Sequence, residues 1–242
     1  MSSTRKELVL IGTVHRDPEG LSKALCLLTK ENPASVAVEV SPYALYFRRR
    51  NGRLLRRRLL RRLRLLARTQ GVAWRDWGQI QAIFSQLRLP FEYQAASRYC
   101  RDAGASFHCL DSSPWSKRHI QSNWAELLSS DNLAALLSQP PEDMGETVQK
   151  GYELAAKLLS KPGVTLVSAL VGNWSVDIPW QRREAELAGC LARIFANMRY
   201  GRLAYIGGWQ HLLSPTRGGT LYERLEILRP RRMLLNGAPG HC

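Results

Sequence analysis

Short apolar runs near both ends of the chain, separated by stretches of helical periodicity, give the first outline. Residues 7–11 (ELVLI) form a continuous apolar run closed by Gly12, the pattern of a strand buried on both faces. Residues 18–30 place Leu21, Leu25 and Leu28 at helical spacing, with Pro18 near the start, and predict a helix. Residues 35–40 (SVAVEV), entered through Asn32-Pro33, read as a second strand. Strand, helix and strand in such short succession make a βαβ unit with a parallel pair.

The pattern then changes. In residues 43–68, Leu55, Leu59, Leu63 and Leu66 form a narrow apolar stripe at helical spacing, and most other positions are Arg; Gly52 is expected to weaken the start of this helix. Helices are predicted over 79–87 and over 91–103, the second ending at Gly104. A third strand follows at 106–110 (SFHCL), with Asp111 at its exit. Residues 117–198 read as mainly helical, broken at Pro140-Pro141 and Pro162-Gly163, with 164–171 open between strand and helix. Residues 202–206 (RLAYI) form a strand closed by Gly207-Gly208, and 225–228 and 233–235 are weaker strand candidates. The tail 236–242 is expected to be loose. The pattern predicts an α/β fold: a central mixed, largely parallel sheet with flanking helices and a helical insertion at about 117–198, in a single domain over 1–242.

Composition narrows the class. A chain of 242 residues that is 45% hydrophobic can bury a large core, which excludes whole-chain disorder. A short polar N-terminus and apolar runs too short to cross a bilayer predict a soluble, cytoplasmic protein. Five cysteines without a Cys-x-x-Cys pair argue against a zinc ribbon or a disulfide framework and read as buried thiols. The net charge of +15 suggests a polyanion partner, but it is concentrated. Residues 48–68 hold eleven Arg and no acid, and without them the charge falls to +4.

Candidate chemistry clusters at strand exits. Gly12-Thr13-Val14-His15 follows the first strand and Gly208-Trp209-Gln210-His211 follows a late one, so Gly-x-x-His occurs twice in the same structural context. In open α/β sheets the carboxyl ends of neighbouring strands share one crevice, where ligands bind. Glu39 sits near the end of the second strand within an apolar run, where a carboxylate needs a partner. Two His and one carboxylate suit a divalent metal with open positions, whose bound water would be a nucleophile near neutral pH. Without a metal, Glu39 and one His suit general base and acid.

The ordered motifs Ile-Gly-Thr-Val-His, Val-Ala-Val-Glu and Gly-Gly-Trp-Gln-His resemble the TraB/PrgY/GumN and Tiki group, related in fold to erythromycin esterase and ChaN-type proteins. Residues 95–111 (AASRYCRDAGASFHCLD) are similar to that group's helix–strand unit ending in Asp-Arg, although Ser112 follows Asp111 here. Arg183-Glu184 is similar to its Arg-Asp helix motif, with Glu in place of Asp. The resemblance implies metal-dependent hydrolysis, peptidase activity in the Tiki branch, and a manganese-like ion. His15, Glu39 and His211 would be ligands, with Asp111, Arg183 and Glu184 supporting them or orienting a peptide or small anionic substrate.

Each residue also has a plainer reading. His15 or His211 alone is a core or turn histidine, and Asp111 is a helix cap. Arg183 and Glu184 are a solvated ion pair on a helix. Asp17 and Glu19 cap and charge a helix start. Trp209 either walls a pocket or packs in the core, and Asn173-Trp174 and Pro179-Trp180 are lid candidates. The arginine-rich segment 44–68 is either a surface helix with solvated Arg, a lid over an anionic substrate, or a binding face for nucleic acid or an anionic membrane through Arg48 to Arg68. In that last case the chain is a non-catalytic binding or regulatory protein.

Overall fold

A computed structural model describes residues 5–75, 77–160, 178–214 and 219–237. The elements run β1 (Lys6–Thr13), α1 (Gly20–Glu31), β2 (Ser35–Val38), α2 (Pro42–Gln70), α3 (Gly78–Gln86), α4 (Phe91–Ala103) and β3 (Ser106–Cys109). They continue with α5 (Ser113–Leu127), α6 (Ser130–Leu137), α7 (Met144–Ser160), α8 (Ile178–Asn197), β4 (Gly201–Gly208), the 3-10 turn Trp209–Leu212, α9 (Leu221–Arg224) and β5 (Arg231–Leu234).

The strands form one sheet in the order β3-β2-β4-β1-β5, and every pairing among the described residues is parallel. The fold is thus α/β as expected, and the sheet of the described residues is all parallel. Residues 225–228 are not a strand but a second 3-10 turn, Glu226–Leu228. The run 164–171, Asn173-Trp174 and His241-Cys242 lie outside the described residues. Among the described cysteines, Cys100, Cys109 and Cys190 are free, whereas Cys26 is disulfide-bonded, which departs from the reading of buried thiols throughout.

Both faces of the sheet are covered, as continuous apolar runs require. Val9, Ile11, Val36, Val38, Ala204 and Ile206 pack with α1 and α4. Leu8, Leu10, Ala37, Leu203 and Tyr205 point the other way, toward α8 and α9. A separate apolar cluster joins Leu59 and Leu63 of α2 to Ile80 and Phe84 of α3 and to Leu133 and Leu137 of α6. The stripe read from the sequence is therefore the inner face of α2. Ser41 caps α2 by accepting from Ala44 N (3.0 Å), Pro42 fits its first turn, and Gly71 ends it in the left-handed region at φ 68°. Gly52 has a packing cause: a Cβ there would lie 2.8 Å from the carbonyl oxygen of Leu87.

Register fixes where the polar residues meet. Thr13 is level with Gly208, and Val38 with both Ile206 and Cys109. β4 lies between β1 and β2, so the exits carrying His15, Gly208 and Glu39 are three consecutive strand ends. The chain leaves β1 in one direction for β2 and returns to fill the gap with β4, which is the crossover that opens a crevice in sheets of this kind.

Candidate active site

The backbone turns sharply after β2. Glu39 N still donates to Ile206 O (3.1 Å), while Val40 N folds back onto Val38 O (2.9 Å). This aims the Glu39 side chain, 7% exposed, across the top of β4. Its Oε2 accepts from Gly208 N (2.7 Å), Tyr205 OH (3.4 Å) and His211 Nε2 (3.0 Å), and its Oε1 accepts from Arg183 Nη2. Gly208 lies close beneath these groups: a Cβ on it would sit 2.9 Å from Gln210 Oε1, 3.1 Å from His15 Nε2 and 3.6 Å from Glu39 Oε2. His15 Nε2 and Glu39 Oε2 therefore flank one point above Gly208.

His211, on the 3-10 turn after β4, is buried between two carboxylates. Its Nε2 donates to Glu39 and its Nδ1 to Glu184 Oε1 (2.5 Å). Glu184 Oε2 also accepts from Leu221 N (2.6 Å), which anchors α9. Trp180 stacks on the imidazole, with centroids 5.0 Å apart and planes 11° apart. Burial disfavours the charged ring, but the charges of Glu39 and Glu184 and their hydrogen bonds outweigh that and raise its pKa to about 10. His211 is thus a fixed cation at neutral pH. Burial would likewise push Glu39 up, yet the charges of His211 and Arg183 hold its pKa well below the usual carboxylate range.

Arg183 is 9% exposed and forms a fork with Asp111: Nε to Oδ1 (3.0 Å) and Nη2 to Oδ2 (3.1 Å). Asp111 also accepts from Ser112 N (2.9 Å). The guanidinium lies over the Trp115 ring, 4.6 Å from its centroid. Its Nη1 makes no hydrogen bond among the described residues. Arg183 and Glu184, adjacent on α8, are both buried and reach different partners, so the solvated ion-pair reading does not hold for them.

His15 differs from every member of this network. Its side chain is half exposed (50%), and its Nδ1 donates to Glu92 Oε1 (2.8 Å), leaving Nε2 without a partner among the described residues. Glu92, in the first turn of α4, is 4% exposed, and the Thr13 hydroxyl lies 3.0 Å from the same oxygen. Desolvation opposes protonation of His15, but the hydrogen bond and charge of Glu92, together with the charge of Glu39, raise its pKa above 6.5. The next residue, Arg16, holds φ at 71°, an uncommon conformation for a side chain that is not glycine. A cavity of about 830 Å³ opens over this point, lined among others by His15, Arg16, Glu39, Arg48, Glu92 and Arg183.

All six residues singled out from the sequence converge here. Glu92 was not anticipated: an acid in a helix's first turn reads as a dipole complement, and only the fold brings it to His15. Trp180 belongs to the site, whereas Trp209 packs with Ala155, Leu158 and Leu213. Asp17 supports the His15 turn rather than forming a simple cap, since it accepts from Glu19 N (2.9 Å), Lys23 and Tyr152.

The donor set does not fit a metal ion in this arrangement. Both His211 nitrogens face carboxylates, the Glu39 oxygens are occupied by four donors, and among the described residues no three His, Cys, Asp or Glu side chains are placed to hold an ion. No protein-family model, curated protein or solved structure matches the chain.

Proposed function

We propose that the strand-end site is that of a hydrolase working by acid–base catalysis, with His15 as the base and the Glu39–His211–Glu184 and Arg183–Asp111 pairs as a fixed charged floor. The single observation that carries this is the contrast between the two histidines. His211 has both nitrogens committed, whereas His15 has one nitrogen oriented by a buried carboxylate and the other facing a cavity. A base needs that orientation, because the Nδ1–H bond to Glu92 fixes the tautomer whose Nε2 lone pair is free. Glu39 is a poor base by the same reasoning, since its pKa is depressed and its oxygens are taken.

In the proposed step, water gives a proton to His15 Nε2 as its oxygen adds to the acyl carbon of an ester or amide. The leaving group then departs with that proton, giving acid plus alcohol or amine. Arg183 Nη1 is the donor available to the developing oxyanion. Arg16, Arg48 and Arg88 also line the cavity and have no ion-pair partner among the described residues, which favours a substrate carrying an anionic group. The resemblance to the TraB/Tiki group supports hydrolysis, and Arg183-Glu184, chosen only through that resemblance, lies within the network. The metal-assisted version would need His211 to leave one of its carboxylates.

A panel of chromogenic esters and aminoacyl amides, tested with wild type, His15→Ala and Glu92→Gln, addresses this reading. Turnover is expected to fall about 10²- to 10⁴-fold in His15→Ala, and the rising limb of the pH profile is expected to move to lower pH in Glu92→Gln. Turnover unaffected by His15→Ala contradicts the assignment. The second reading, a non-catalytic protein that binds anions through Arg48 to Arg68, rests on the exposure of ten of those eleven arginines.

A further inference from the structure

The outer face of α2 is a strongly charged feature that the site does not use. Ten of its eleven arginines are exposed; Arg48, at the cavity end, is the exception, held by Ala44 O (3.3 Å) and Gln86 O (3.1 Å). The helix carries no acidic residue, and no arginine on it has a carboxylate partner among the described residues. At i, i+4 spacing, Arg53–Arg57, Arg57–Arg61, Arg58–Arg62 and Arg64–Arg68 repel one another, which opposes the helix. With 29 residues the rod is about 43 Å long.

The face is not purely cationic. At 100° per residue, Arg50, Leu54, Arg57, Arg61, Leu65 and Arg68 fall within about 80° of one another around the axis. Leu54 is 49% exposed and Leu65 65% exposed. The inner stripe of Leu55, Leu59, Leu63 and Leu66 is already covered by α3, α5 and α6, so the outer leucines are a second, uncovered apolar contribution.

We infer that this face of α2 docks on an anionic phospholipid bilayer. A bilayer surface offers phosphates at one depth and hydrocarbon just below, which matches guanidinium groups interleaved with leucine. Nucleic-acid phosphates match the arginines equally well but offer nothing to Leu54 and Leu65. The exposed aromatic on α2, Tyr46, is bonded to Arg50 (2.9 Å) rather than held open for a base. The inference stands apart from the hydrolase reading, since it uses no residue of the catalytic network.

The test is co-sedimentation of the full-length protein with vesicles of phosphatidylcholine alone and with roughly one third phosphatidylserine. Partitioning is expected to be at least about tenfold stronger on the anionic vesicles and to weaken steeply between low and high salt. Arg57→Gln/Arg61→Gln is expected to lower it about 25-fold at low salt, near fivefold per charge, and Leu54→Ser/Leu65→Ser about tenfold. All four positions are exposed, and unchanged circular dichroism of the variants establishes that they are folded. Equal partitioning on both vesicle types overturns the inference. So does anionic-vesicle binding that ignores the leucine pair. Capture by a DNA duplex without vesicle binding also overturns it and assigns the face to nucleic acid.

Discussion

At the strand ends Arg183 is nine-tenths buried and divides its guanidinium between Glu39 and Asp111, whereas along α2 ten arginines face water with no carboxylate partner among the described residues. The same side chain meets opposite physics in the two places. In the buried network the desolvation of each charge is large, and only the opposite charge and its hydrogen bonds offset it, so the members stand or fall together. On α2 water and salt screen each charge, and the residues are nearly independent in stability. A buried pair thus reports what the fold requires, and an unpaired exposed run reports something the fold does not require.

The largest expected effect comes from breaking one side of the buried network. Arg183→Met leaves Asp111 buried without its cation and Glu39 with only His211, and is expected to lower stability by about 3–5 kcal/mol in urea titration. Arg57→Met on α2 is expected to stay within about 0.5 kcal/mol of wild type. Similar losses from both would remove the distinction.

The next effect is on pH dependence. The pKa of His211 is raised to about 10, so its contribution is complete below 6.5 and disappears as pH rises toward 10. Glu39 is depressed, so its contribution is complete above 4.5 and is lost as pH falls through its lowered value. The urea midpoint is therefore expected to be highest between pH 4.5 and 6.5 as far as these two groups decide it, and to decline on the alkaline side. His211→Gln should flatten that alkaline decline; a decline of unchanged size in the variant contradicts the locked-cation assignment.

Gly208→Ala tests the close approach above β4. The added methyl lies 2.9 Å from Gln210 Oε1 and 3.1 Å from His15 Nε2. A stability loss of about 1–3 kcal/mol should accompany a shift of the His15 ring resonances. Unmoved resonances would show that His15 does not sit over Gly208. The smallest effect is expected on α2: Arg57→Gln removes two like-charge i, i+4 contacts and should raise stability by a few tenths of a kcal/mol at low salt, with the gain vanishing at 1 M salt.

Much of this comparison could be read from the sequence, and the part that could not has a physical cause. The βαβ start, the arginine helix and the last glycine-closed strand follow from local apolar patterns, which is why both Gly-x-x-His motifs could be placed at strand exits. That the exits are adjacent depends on β4 entering between β1 and β2, and that register involves residues nearly 200 positions apart. Arg183 and Glu184 look like surface residues on a helical pattern, and only the order of motifs pointed to them. Glu92 had no local mark. Its partner His15 is 77 residues away in the chain, and the bond between them exists only once α4 packs against α1 and β2.

The central claim, that His15 is the working histidine and His211 a fixed cation, is tested most directly by NMR titration of the imidazole nitrogens in wild type and Glu92→Gln. The predicted result is a His15 midpoint above 6.5 that falls when Glu92 is neutralised, with His211 doubly protonated until about pH 10. A His15 midpoint at or below 6.5 that ignores Glu92→Gln, or a His211 ring that loses its proton near neutrality, would contradict it.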